Sequence, residues 1–291
     1  MTTDTVGTKV LVADALGRWE EVGEDIVGVN VNDLAAVGAR PAGLVDTILC
    51  AAPDPRRFAA IGRGLARGLR SARCALLGGE TAVVPEIVRG IDLGGTAVGF
   101  FPRGRRPILG DRLRPNDIIL GLRSTGLHAN GFTLVRRWLA EERLPLDRPR
   151  PGARRPLGEE LLRPTRIYVR AIDAIADEPG VHGLAHISGG GVRNLVRLNR
   201  RVRFRLDQWP APDGLFAFIA ERGGISLREM YQTFNMGIGF VVIVAPSAAA
   251  SIAERLERAG AGPVVRLGSL APGHGVELPH LGLLYDEYGG A

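Results

Sequence analysis

Apolar residues recur at Phe58, Ile61, Leu65 and Leu69 with arginines set between them. That 3.6-residue period predicts an amphipathic helix over residues 55–72. Residues 43–50 (GLVDTILC) are nearly all apolar with one aspartate inside, which predicts a short strand covered on both faces. A helix interrupted by glycine is expected over 25–37, and further strands over 75–77 and 93–101. The first hundred residues thus alternate strands and helices up to the Arg/Pro-rich segment 102–110, which reads as a linker. Beyond it, strands are expected over 117–122, 182–187, 202–206, 238–244 and 264–270. Helices are expected over 132–142, 192–198, 215–222, 227–234 and 247–259, with another capped by Thr165 and running through 176. Residues 144–155, rich in proline and arginine, read as loop. The fold class is α/β (α+β), with a first domain over 1–102 and a second over 111–291.

Composition adds little to that outline. With 45% hydrophobic and 23% charged residues in 291, the chain builds cores and is not disordered. A net charge of +6 invites a nucleic-acid reading. The arginines are scattered, however, and 5% aromatic residues leave few stacking platforms, so no nucleic-acid partner is expected. The clusters Arg103-Gly104-Arg105-Arg106 and Arg200-Arg201-Val202-Arg203 read as solvated charges. Cys50 and Cys74 each sit in an apolar run and read as buried free thiols. No apolar stretch is long enough to span a membrane and no signal-peptide pattern opens the chain, so a cytoplasmic location is expected.

Of the 37 Lys and Arg side chains, one is lysine: Lys9, inside Asp4-Thr5-Val6-Gly7-Thr8-Lys9. A compact cation beside an aspartate and a small-residue turn suggests a site for phosphate and metal. Three glycine-rich turns are expected after strands: Gly78-Gly79, Gly126 with Gly131, and Gly189-Gly190-Gly191. Such turns let backbone N–H groups approach a phosphate. Asp4, Asp33, Asp46 and Glu80 lie at expected element ends, and Mg²⁺ favours a few carboxylates with phosphate oxygens. His128 and His186 stand beside glycine turns, where proton transfer or substrate binding is possible chemistry. No pattern for a zinc protease, zinc finger or serine hydrolase is present.

Seven segments, in order and spanning essentially the whole chain, resemble phosphoribosylformylglycinamidine cyclo-ligase, also called aminoimidazole ribonucleotide synthetase. They are residues 4–9, 31–34, 78–81, 124–131, 164–169, 186–194 and 229–237. The parent superfamily also holds selenophosphate synthetase, thiamine-monophosphate kinase and a hydrogenase maturation protein. The resemblance implies a two-domain fold whose N-terminal domain, a mixed sheet with helices, pairs across a homodimer. The C-terminal α/β domain would take the substrate. It implies ATP and Mg²⁺ as cofactors and formylglycinamidine ribonucleotide as substrate. Carried over residue by residue, Asp4, Thr8, Lys9, Asn32, Asp33, Gly78, Gly79, Glu80 and Thr81 would bind ATP, with Asp4, Asp33 and Glu80 on the metal. Ser124, Thr125, His128, Asn130, Gly189, Gly190, Gly191 and Asn235 would face the ribonucleotide, and Lys9, His186 and Asn194 would serve catalysis. Two alternatives stay open: another ATP-using member of the superfamily, or a non-catalytic ribonucleotide-binding dimer.

Two departures from the family pattern bear on these expectations. The second motif position, usually glycine, is Thr5, and a β-branched residue does not easily take a positive φ. The chain also starts almost at Asp4, whereas the resemblance implies a preceding glycine-rich segment that helps cover ATP.

Overall fold

The computed structural model describes residues 1–288, which divide into two compact units. The first unit comprises Met1–Leu34, Pro41–Phe100 and Thr125–Ile167; the second comprises Ala35–Arg40, Phe101–Ser124 and the chain from Tyr168 onward.

The first unit is built on a four-stranded mixed sheet of order β1-β4-β2-β3, from β1 (Thr2–Thr5), β2 (Arg40–Cys50), β3 (Ala75–Val83) and β4 (Ile91–Phe100). Its helices are α1 (Val10–Leu16), α2 (Glu20–Ala35), α3 (Pro55–Ala72), α4 (Phe132–Glu141) and α5 (Leu157–Leu162). Helix α3 has the expected bounds; Asp54 caps it, its carboxylate accepting from the N–H groups of Arg56 and Arg57. Helix α2 starts five residues before the expected position, and its second half is buried nearly all round. Helices α2 and α3 touch backbone to backbone: a Cβ at Gly64 would lie 1.9 Å from the carbonyl oxygen of Glu20, so only glycine fits.

Two expectations fail in this unit. Gly78-Gly79-Glu80-Thr81 is not a turn after a strand but the middle of β3, paired in parallel with Val45–Ile48 across a bulge. Thr165 does not cap a helix, because its N–H and hydroxyl both turn to the buried Asp25 at 2.7 and 2.6 Å. Thr5 has no strained turn to fill: it ends strand β1, where a β-branched residue is at home, and the positive φ falls on Gly7 at 66°.

The second unit carries a seven-stranded mixed sheet of order β11-β10-β7-β9-β5-β8-β6. Its strands are β5 (Ile118–Arg123), β6 (Val181–His186), β7 (Val202–Arg205), β8 (Ile238–Val244), β9 (Val264–Pro272), β10 (Gly275–Leu278) and β11 (Leu283–Tyr285). Every residue of β8 is buried, as an unbroken apolar strand should be. Helices α6 (Val169–Asp173), α7 (Gly214–Arg222), α8 (Leu227–Thr233) and α9 (Ala249–Leu256) pack around it, and the segment expected as a helix over 192–198 is a tighter 3₁₀ turn over Gly191–Arg197. Arg105 departs from its solvated reading: its guanidinium is 2% exposed and donates to Asp177 and Asp173, at 2.7 Å and 2.9 Å, and to the Gly38 carbonyl.

Candidate functional site

In the first unit the sequence-expected residues gather on one extended stretch of backbone, residues 163–166. Lys9 donates to the Arg163 carbonyl at 2.8 Å and ion-pairs with Asp25 at 2.7 Å. The Thr125 hydroxyl donates to the Pro164 carbonyl, and the Arg163 guanidinium returns a bond to the Thr125 carbonyl. Asp25 accepts both donors of Thr165. The Asn32 side chain donates to the Arg166 carbonyl at 2.8 Å. His128 Nε2 accepts from the N–H groups of Thr125 and Arg166, at 3.3 and 3.4 Å. These two contacts tie the ring to the backbone at Thr125 and, within the 163–166 stretch, at Arg166. His128 also carries a positive φ of 61°, an uncommon backbone state for a non-glycine residue.

Lys9 itself faces the protein interior. Its side chain is fully buried, flanked by Asp25 and the Phe132 ring, which lies 5.6 Å from the ammonium. Burial pushes the ammonium below its ordinary pKa, and the Asp25 carboxylate pulls it back up. A charge this deep has to be paired, and Asp25, absent from the sequence-derived site, is what pairs it. The one advance signal was a carboxylate directly before the apolar pair Ile26-Val27.

The expected metal set is not assembled either. Asp4 lies on β1 and Glu80 on β3, the two edges of the four-stranded sheet, three strand spacings or ~14 Å apart. Asp33 lies on α2, and among the described residues no group of three His, Cys, Asp or Glu side chains could hold a metal ion. Within one chain these residues do not fit Mg²⁺. Thr8 bonds the Thr133 hydroxyl at 3.3 Å, Gly78, Gly79, Glu80 and Thr81 are exposed on β3, and Asn130 is half-buried.

The second unit holds the other set. Ser124 donates to Asn235 Oδ1 at 2.9 Å, and the same oxygen accepts from the Gly237 N–H. His186 ends β6, buried and stacked on Phe240 with ring centroids 6.3 Å apart. After it the chain turns through Gly189-Gly190-Gly191, with φ of 101° at Gly190 and 54° at Gly191. A Cβ at Gly191 would lie 2.1 Å from the Tyr231 carbonyl oxygen, so this turn admits glycine alone. Asn194 spends its amide nitrogen on the turn, donating to the carbonyls of Gly191 at 2.9 Å and Gly189 at 3.3 Å. It shapes the loop from within.

Residues 1–101 match the family "AIR synthase related protein, N-terminal domain", and residues 114–280 match "AIR synthase related protein, C-terminal domain". The chain belongs to the AIR synthase family. Family members with a close sequence include the phosphoribosylformylglycinamidine cyclo-ligase of Methanothermobacter thermautotrophicus. It is 48% identical over 248 residues, covering 84% of this chain and 73% of that relative. The enzyme of the same name from Thermococcus gammatolerans is 48% identical over 246 residues, covering 84% and 72%. The family fold extends to a thiamine-monophosphate kinase from Stenotrophomonas maltophilia, with a TM-score of 0.72 at 22% identity over 97% of this chain and 85% of that one. It also extends to E. coli HypE, a hydrogenase maturation protein, with a TM-score of 0.68 at 20% identity over 91% and 79%. Among the described residues no helix is long and apolar enough to cross a membrane.

Proposed function

We propose that this protein is a cytoplasmic cyclo-ligase that closes the imidazole ring of 5-aminoimidazole ribonucleotide in purine synthesis. The substrates are formylglycinamidine ribonucleotide and ATP. The observation that carries this reading is the 48% identity to named cyclo-ligases across 84% of the chain. In this reaction the formyl amide oxygen takes a phosphoryl group from ATP, the neighbouring substrate nitrogen attacks that carbon, and phosphate leaves, giving ADP, phosphate and the closed ring.

The roles of individual residues in this reading follow from where each side chain lies. His128, held by two backbone donors, and the glycine turn at 189–191 are the groups we assign to the ribonucleotide, together with Ser124, Thr125, Asn130 and Asn235. His186 is assigned to the reacting end, with Asn194 keeping the turn in shape. Lys9 and Asn32 are assigned to positioning the backbone at 163–166. Asp4, Thr8, Asp33 and the β3 residues Gly78, Gly79, Glu80 and Thr81 are assigned to ATP.

The reading includes a homodimer formed by the first unit. Its sheet exposes Val45, Leu76, Leu77, Val83, Val98 and Phe100, between 37% and 62% accessible, apolar surface on β2, β4 and the edge strand β3 that a second copy would cover. The test is direct. Supply ATP and formylglycinamidine ribonucleotide, then follow imidazole product and ADP. Equal yields of the two are expected. ADP without the imidazole, or neither product, refutes the assignment. Light scattering showing a monomer at micromolar concentration refutes the dimer.

A further inference from the structure

The strand β11 and the residues after it lie beyond the stretch matched to the family's C-terminal domain, which ends at residue 280. This tail is firmly seated on the second unit. β11 pairs antiparallel with β10, Val276 opposite Tyr285. The Tyr285 hydroxyl donates to the Arg228 carbonyl at 2.9 Å, and Arg228 returns a bond to the Leu284 carbonyl at 3.1 Å. The His274 ring lies between the carbonyls of Arg200 and Asp286. So anchored, the chain delivers Tyr288 onto the triglycine turn.

There Tyr288 is fitted to the turn in three ways. Its hydroxyl donates to the Gly189 carbonyl at 3.2 Å. Its ring lies against Gly190 so closely that a Cβ there would come within 2.9 Å of the ring edge. The Arg197 guanidinium lies 5.0 Å from the ring centroid, within cation–π range. The result is a glycine turn roofed by an aromatic ring, with a cation held beside it. A glycine turn, which lets a ligand approach the backbone closely, with a guanidinium beside it suits a phosphate-bearing ligand.

We propose that Tyr288 completes the ribonucleotide subsite of this chain: the tail roofs the glycine turn, and the ring holds Arg197 where a ribonucleotide phosphate would meet it. The proposal rests on the assignment of the glycine turn to the ribonucleotide. Tyr288 is 40% exposed, so its replacement leaves the fold intact.

The experiment compares full-length wild type with Tyr288→Ala and Tyr288→Phe, measuring kcat, KM for each substrate and ribonucleotide binding by calorimetry. In Tyr288→Phe, which keeps the ring but loses one hydrogen bond, we expect ribonucleotide KM to rise roughly threefold. In Tyr288→Ala, which loses both ring and cation placement, we expect a rise on the order of tenfold or more. The ATP KM and kcat should stay within about twofold, a split that a general loss of structure would not produce. Ribonucleotide binding equal in all three proteins overturns the proposal while leaving the activity assignment standing. Tighter binding in Tyr288→Ala also overturns it, because the tail would then obstruct the site. Wild type that neither binds the ribonucleotide nor forms product overturns the activity assignment, and this proposal with it.

Discussion

Replacing Lys9 with methionine removes a charge and keeps most of the volume. In the folded chain that leaves the Asp25 carboxylate buried without its cation, since both side chains are 0% exposed and 2.7 Å apart. Breaking one side of such a buried pair costs about 3–5 kcal/mol. The Arg163 carbonyl loses its donor as well. The assay must report on the first unit alone, because a two-unit chain need not unfold in one step. Trp19 and Trp138 lie in that unit and Trp209 in the other, so a Trp209→Phe background isolates the signal. Urea slopes run at about 1–3 kcal/mol per M, which converts the loss into a midpoint lowered by at least about 1 M. Adding Asp25→Asn keeps an acceptor for Thr165 and removes the stranded charge, so the double variant should recover most of the loss. A shift below about 0.3 M for Lys9→Met alone, or a double variant worse than the single, refutes the reasoning.

Burial raises the Asp46 carboxyl above its ordinary value of 3.8, so folding favours its protonated form and the carboxylate is a liability at neutral pH. Asp46→Asn should raise the urea midpoint at pH 7, and the advantage should vanish as the pH falls through 3.8; an equal gain at low pH would contradict this. Burial pushes the Cys74 thiol up to about 11, and Cys50 is buried too. Neither should react with a thiol reagent at pH 8 in the folded protein, and both should react in urea; rapid labelling of Cys74 without urea would show its surroundings misread. A Gly191→Ala variant should lose ribonucleotide binding before it loses stability of the first unit, measured by calorimetry and by Trp19 fluorescence; retained binding would mean the turn relaxes around the 2.1 Å clash.

Local periodicity carried the sequence reading where an element's burial is one-sided or complete. The helix Pro55–Ala72 and the strand Ile238–Val244 were placed to the residue, because one shows a clean 3.6-residue stripe and the other a solid apolar run. Gly78–Thr81 misled because two glycines after a short apolar run look like a turn, whereas pairing with β2 keeps them extended. Thr165 carried a good cap signature, yet its partner is an aspartate 140 residues earlier, invisible to any local rule. The motif segments pointed to the residues around 163–166, but not to their arrangement: Lys9 drew notice as the lone lysine, whereas its buried partner Asp25 carried no such local signal.

The backbone at 163–166 also sets a clock. Lys9 and Asp25 leave the ribosome early, but their partners Arg163 and Thr165 follow 154 and 140 residues later. At about 5–20 residues per second, the first unit waits roughly seven to thirty seconds with its inner charge pair unsheltered. Residues 1–102 made as a separate fragment would wait indefinitely, since Thr125–Ile167 is the part of the chain that closes over that pair. For this protein, being born in sequence order and folding in sequence order are different things.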